Sequence, residues 1–105
     1  MNKLITVAVI DSGIYPHIDF KNRIIAFKDF VNGRKNAYDD CGHGTHVSGI
    51  IAGSGYASHG RIKGICPAAC LAGIKVLDRL GNGRIENVLD AAGWIISHQK
   101  DLNIR

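Results

Sequence analysis

The chain has 105 residues, enough for one small domain with one core. With 46% hydrophobic and 21% charged residues, it has the composition of a folded globular protein and not of a disordered one. The net charge of +4 comes from scattered lysines and arginines, with no basic run longer than Arg34-Lys35, so it describes a solvated surface and excludes nucleic acid as the expected partner.

No apolar run approaches the ~20 residues of a membrane span. The short apolar stretch after Met1-Asn2-Lys3 does not read as a signal peptide. Three cysteines cannot all pair within the chain, which favours a reducing compartment. The expectation is a cytoplasmic protein; the alternative is a secreted one whose targeting segment is absent from this chain.

Residues 4–10 are apolar and β-branched on both faces, the pattern of a central parallel strand covered on both sides. Ser12-Gly13 and Tyr15-Pro16 then break the chain. Arg23 to Phe30 reads as a second strand. A polar loop, Asn32-Gly33-Arg34-Lys35-Asn36, leads through Asp39-Asp40 to a histidine-rich word. From about Gly44 to Gly53 small residues dominate, with Val47, Ile50 and Ile51 as the apolar stripe of a helix. Gly49 and Gly53 cost helix propensity unless they let that helix lie close to a sheet. Residues 54–64 read as a loop, and Leu71 to Leu77 as another strand after the Cys66-Pro67 turn.

Gly81-Asn82-Gly83 opens the longest helix, with Ile85, Val88, Leu89, Ala92, Ile95 and Ile96 at spacings of three and four. Asn82 or its neighbour is the expected cap. Leu102 to Arg105 reads as the start of a further strand. Strands alternating with helices predict an α/β fold, a three-layer sandwich around a largely parallel sheet.

In such sheets, functional groups collect beyond the carboxyl ends of the strands. Asp11 sits at such an end, and Gly13 permits the sharp turn behind it. His43 begins a helix, where unpaired N–H groups and the dipole disfavour a protonated ring. A neutral imidazole is what a general base must be. Asp11 pulls the other way, favouring the imidazolium. His46, one turn further on, is expected to pack or hydrogen-bond within the fold. A metal reading lacks its residues. His43 and His46 are three apart, whereas the zinc-protease word needs four and an intervening glutamate. Cys66 and Cys70 read as small core residues rather than ligands. No metal and no cofactor are expected.

The words Val7-Ala8-Val9-Ile10-Asp11-Ser12-Gly13 and His43-Gly44-Thr45-His46-Val47-Ser48-Gly49 together resemble the subtilisin-like serine proteases, the subtilase family. The resemblance extends through Gly64-Ile65-Cys66-Pro67-Ala68 and Ile74-Lys75-Val76-Leu77 to Gly81-Asn82-Gly83. It implies a subtilisin-like, Rossmann-like fold, incomplete in this chain, with residues 1–105 as the N-terminal portion of a single catalytic domain. It also implies that Asp11 and His43 are the aspartate and histidine of an Asp/His/Ser triad, in that family's chain order. Leu77 would line the pocket beside the histidine. Gly81, Asn82 and Gly83 would face a polypeptide substrate that adds as a strand.

Some residues depart from the family pattern. Cys41 stands two residues before His43, where a small or polar residue is usual. Asp19 resembles a calcium-binding carboxylate of some members, but the loop 54–64 lacks the asparagine-rich partner. The chain ends before the oxyanion-hole asparagine and the Gly-Thr-Ser nucleophile. Ser12, Ser48, Ser54, Ser58 and Ser97 all lack that context. The expected partner is therefore the C-terminal remainder of the domain, and the chain alone is expected to be inactive. Two other readings stay open: a non-catalytic peptide-binding relative, and a nucleotide-binding module. The latter lacks its glycine fingerprint, since Glu86 stands at the third glycine of Gly81-x-Gly83.

Overall fold

The structure, a computed structural model, describes residues 4–105, so the stretch opening with Met1-Asn2-Lys3 lies outside it. Three strands, β1 (Thr6–Asp11), β2 (Ile24–Asp29) and β3 (Cys70–Lys75), form a sheet in the order β1-β3-β2. Both pairings are parallel. Two helices complete the layers: α1 (His43–Ala52) and α2 (Ile85–Leu102).

Strand alternation sorts the core into two clusters on opposite sheet faces. Val9, Ile14, Phe20, Ala52 and Leu71 are buried on the α1 side, with Val47 and Ile51 packed against them. Ala72, Ile74, Val76 and Ala91 are buried on the α2 side, where Trp94 and Ile95 join them. The odd-numbered parity of β1 faces α1, and this parity delivers Asp11 to the helix that begins with His43.

The expected strands and helices are present, with shifts that have physical causes. The strand buried on both faces is β3, whose residues from Leu71 onward are all buried. β1 has β3 on one side only; on the other, Ile104 pairs with Thr6, and Ile10 stays 41% exposed. An irregularity between Ile24 and Ala26 shifts the register of β2. α1 turns its smallest residues inward: Gly44, Ser48 and Ala52 are buried, while Ile50 is exposed. On α2, Ile85, Leu89 and Ile96 of the predicted stripe are exposed and Ala91 takes the central place. Both helices carry apolar residues on two faces, and periodicity alone does not say which face meets the sheet.

Arg84, not Asn82, occupies the N-cap position of α2, without a side-chain cap. Asn82 belongs instead to a turn closed by Asp78, whose N–H donates to the Asn82 carbonyl at 2.8 Å. The expected terminal strand is shorter: Leu102 is helical, Asn103 is a left-handed C-cap, and Ile104 alone bridges to β1.

At the carboxyl edge the chain crowds on itself. Gly13 has φ +117° and pairs with Asp39; a Cβ there would lie 2.1 Å from the Tyr38 carbonyl oxygen. A Cβ at Gly44 would lie 2.1 Å from the Gly13 carbonyl oxygen. By contrast Gly49 has open space around it. Gly44→Ala should therefore destabilise the chain by about 3 kcal/mol or more through overpacking. Gly49→Ala should stabilise it by ~0.5–1 kcal/mol through helix propensity. Urea denaturation of the two variants measures both; equal effects of one sign would contradict this packing.

Candidate active site

The carboxyl ends of the three strands align Asp11, Lys75 and Asp29 side by side, since Lys75 is in register with both aspartates. Asp11 is 8% exposed. Its Oδ1 accepts the Ser12 N–H at 2.7 Å. The His43 ring comes from the first residue of α1 and places Nδ1 2.9 Å from both Oδ1 and Oδ2 of Asp11. A carboxylate at Nδ1 fixes the tautomer that carries its proton there, leaving Nε2 as the acceptor. The hydrogen bond to Asp11, and then its charge, raise the His43 pKa above the ordinary value. The carboxylate thereby outweighs the opposing effect of desolvation at this ring. The imidazole side chain is 64% exposed, against 12% for that of Asp11: an anchored base with one open face.

The helix start that carries His43 is held by two side chains. Ser12 Oγ accepts the Gly44 N–H at 2.9 Å and donates to Asp39 Oδ1 at 2.8 Å. Asp39 also accepts the N–H groups of Gly42 and Thr45, each at 2.8 Å, and the Thr45 hydroxyl at 2.5 Å. These bonds satisfy donors that a helix leaves unpaired at its first turn. Thr45 Oγ1 in turn accepts the Tyr15 N–H at 2.9 Å. Partial burial pushes the Asp39 carboxyl up, but the hydrogen bonds from Thr45, Gly42 and Ser12 outweigh it and hold it at about 2.

Asp39 was not among the residues expected to matter. Its signal is the ordinary one for a cap, a short acidic side chain a few residues before a helix, masked by the adjacent Asp40. Lys75 stands within the Ile74-Lys75-Val76-Leu77 word. A lone lysine inside an otherwise apolar strand was the available sign. Its side chain is fully buried.

The expected substrate-facing residues lie on the same edge of the sheet. The Val76 and Leu77 N–H groups both donate to the Asp11 carbonyl, at 2.9 and 3.2 Å. Leu77 pairs with Gly83 in an antiparallel bridge, and its side chain is half-buried on the α2 side. Gly81 (φ +80°) and Asn82 form the exposed turn around Asp78, whose Oδ1 accepts the Leu80 and Asn82 N–H groups.

Other expectations are modified. The His46 side chain is exposed and lines a groove of about 450 Å³ with His17, Phe20, Ile50 and Ile65. Cys66 is exposed, not a core residue; Cys70 is half-buried and Cys41 exposed, all three as free thiols. Asp19 accepts the Ala57 N–H at 2.8 Å and so ties down the loop expected at 54–64. Among the described residues, no three His, Cys, Asp or Glu side chains gather as a metal site requires. The Ser12 hydroxyl is engaged by Asp39 and Gly44. Ser48 Oγ is buried with no hydrogen-bond partner among the described residues. Ser54 and Ser58 bond within their own loop. Ser97 lies exposed on α2.

Residues 2–104 match a peptidase family described as the subtilase family. Among similar proteins, Serine protease AprX of Bacillus subtilis (strain 168) is 46% identical over 99 residues, covering 94% of this chain and 22% of that protein. The Major intracellular serine protease of the same strain is 39% identical over 106 residues, covering 95% and 33%. Subtilisin E, from the same strain, is 39% identical over 100 residues, covering 93% and 25%. The crystal structure of a cold adapted subtilisin-like serine proteinase superposes with a TM-score of 0.75 at 34% identity, over 87% of this chain and 31% of that one. The chain thus has the subtilisin-like α/β fold and spans a third or less of the length of each of these proteins.

The Asp39 carboxylate gives a pH test. Its folded pKa of about 2 lies below the unfolded value of ~3.9. Its contribution to stability is therefore complete above pH ~4 and is lost as pH falls toward 2. Asp39→Asn should lower stability at neutral pH and flatten the acid limb between those values, as followed by circular dichroism. An unchanged acid limb would remove Asp39 from this role.

Proposed function

The chain belongs to the subtilase family, and we propose that it is the aspartate- and histidine-bearing portion of a serine endopeptidase domain. The single observation that carries this reading is the 2.9 Å contact of His43 Nδ1 with a nearly buried Asp11. In the proposed mechanism Asp11 holds the imidazole in one tautomer and stabilises the imidazolium as it forms. Nε2 takes the proton of a serine hydroxyl as that oxygen attacks a peptide carbonyl. It then returns the proton to the leaving amine. Water, deprotonated by the same nitrogen, resolves the acyl-enzyme and regenerates the serine.

The nucleophile in this reading is a serine outside residues 1–105; among the described residues, no serine is hydrogen-bonded to the His43 ring. The substrate is a polypeptide that pairs as a strand along the edge marked by Leu77, Gly81, Asn82 and Gly83. The rest of the domain is the partner that would cover the exposed apolar face of α2 at Ile85, Leu89 and Ile96.

In the complete enzyme, His43→Ala should lower kcat by roughly 10⁶-fold, the scale known from removing the triad histidine of subtilisin itself. KM should change little. Activity should fade in acid around a midpoint above ~6.5, because the base must be neutral while Asp11 favours its protonated form. Asp11→Asn should move that midpoint down. The contribution of the pair to stability has the opposite sense: complete below pH ~6.5 and lost as pH rises through the raised value. A pH–rate profile on a peptide substrate reads these effects, and wild-type turnover by His43→Ala would end the proposal. The 105-residue polypeptide alone should give no turnover above background.

A further inference from the structure

We propose that Lys75 is a positioning residue for the Asp11–His43 pair, fixing through its buried ammonium the three backbone segments on which that pair and its flank depend. The proposal rests on the reading of Asp11 and His43 given above.

A lysine withdrawn from water retains its charge at tolerable cost only when its donors are matched. Lys75 is fully buried, and each of its three ammonium donors has a partner. Nζ reaches the Ser12 carbonyl at 2.6 Å, the Leu77 carbonyl at 2.7 Å and Asp40 Oδ1 at 2.7 Å. The Tyr38 ring lies 5.1 Å from the cation. These acceptors belong to three separate stretches of chain. Ser12 opens the turn that follows Asp11. Leu77 begins the edge segment and hangs from the Asp11 carbonyl. Asp40 lies in the loop that leads to His43.

One cation therefore ties together the supports of the acid, the base and the neighbouring edge. Packing alone does not call for a charge here, because an apolar side chain of similar length would fill the same space between β1 and β2. The groups around Lys75 are Asp40, the flanking Asp11 and Asp29, Tyr38 and Asp78. Those that bear on the His43 ring are Asp11 and Asp39.

Lys75→Met keeps the length and removes the ammonium, and the full-length protein carries the test. Direct electrostatics and positioning predict opposite outcomes. Losing a nearby positive charge by itself moves the His43 midpoint up. Losing the Asp11 contact moves it down toward ~6.5. The expected result is a downward shift, loss or broadening of the downfield Nδ1 proton resonance in the NMR spectrum, and a kcat reduced roughly 10- to 100-fold with KM within about twofold. A folded Lys75→Met protein with a lower Tm but unchanged resonance, midpoint and kcat would overturn the proposal.

If that variant does not fold, Asp40→Asn removes one acceptor from the exposed side. It is then read by the Nδ1 resonance and kcat, because the lost negative charge lowers the midpoint by itself. Smaller changes in the same direction are expected, and none would equally overturn the idea. Asp11→Asn separates the two readings: an unmoved His43 midpoint there condemns the pair itself, whatever Lys75 does.

Discussion

The contact between two glycine backbones, at residues 13 and 44, is the constraint on which the site depends. It brings the end of β1 against the first turn of α1 at a distance that no side chain at residue 44 would allow, while a side chain at residue 13 would strike the Tyr38 carbonyl of the loop that leads to α1. Asp11 lies two residues before one of these glycines, and His43 immediately precedes the other. The carboxylate and imidazole meet because their backbones are already touching. The hydroxyl of Ser12 and the carboxylate of Asp39 then supply partners for the amides that this close approach leaves turned inward.

Charge is distributed around that contact with distinct duties. Asp39 is held far into its ionised range by donors, and it steadies a helix start. Asp29 does the same for the loop after β2. Burial pushes its carboxyl up, but the Tyr38 hydroxyl and the N–H groups of Asn32, Val31 and Arg34 bring it below the ordinary value. Tyr38 in turn packs edge-on against Phe27 and covers Lys75. A chain of polar contacts thus runs behind the solvent-facing imidazole, in which Asp39, Asp29 and Lys75 each bond to backbone groups and Tyr38 links Asp29 to the face of Lys75. Reactive and supporting groups are separated by exposure: the ring that must exchange a proton faces out, while Lys75 and most of Asp11 face in.

Much of this was legible in the residues, and what was not had a physical reason. Strands and helices were readable because apolar runs and periodic stripes are local properties, and the word that ends in Asp11-Ser12-Gly13 placed a carboxylate at a strand terminus. The identity of the middle strand was not readable, since β1 and β3 are similarly apolar and only pairing distinguishes them. The inward face of each helix was readable only in part, since Val47, Ile51 and Ile95 of the predicted stripes do pack against the core. α1 buries Gly44, Ser48 and Ala52 instead of exposed Ile50, because its proximity to the sheet admits only small side chains there. The importance of Asp39 and Lys75 was hidden for a related reason. Their partners lie on segments distant in sequence, and no spacing rule reports a contact between residue 75 and residue 12.

The strand order carries a consequence for how the polypeptide is made. β1 and β2 are synthesised first, yet neither pairs with the other; both wait for β3, which separates them. As the chain leaves the ribosome, two sticky segments remain without hydrogen-bonding neighbours until Cys70–Lys75 has emerged. Such delayed, long-range pairing slows folding and leaves nascent edges open to misassociation. Biogenesis of this chain thus favours whatever shields those early segments during translation.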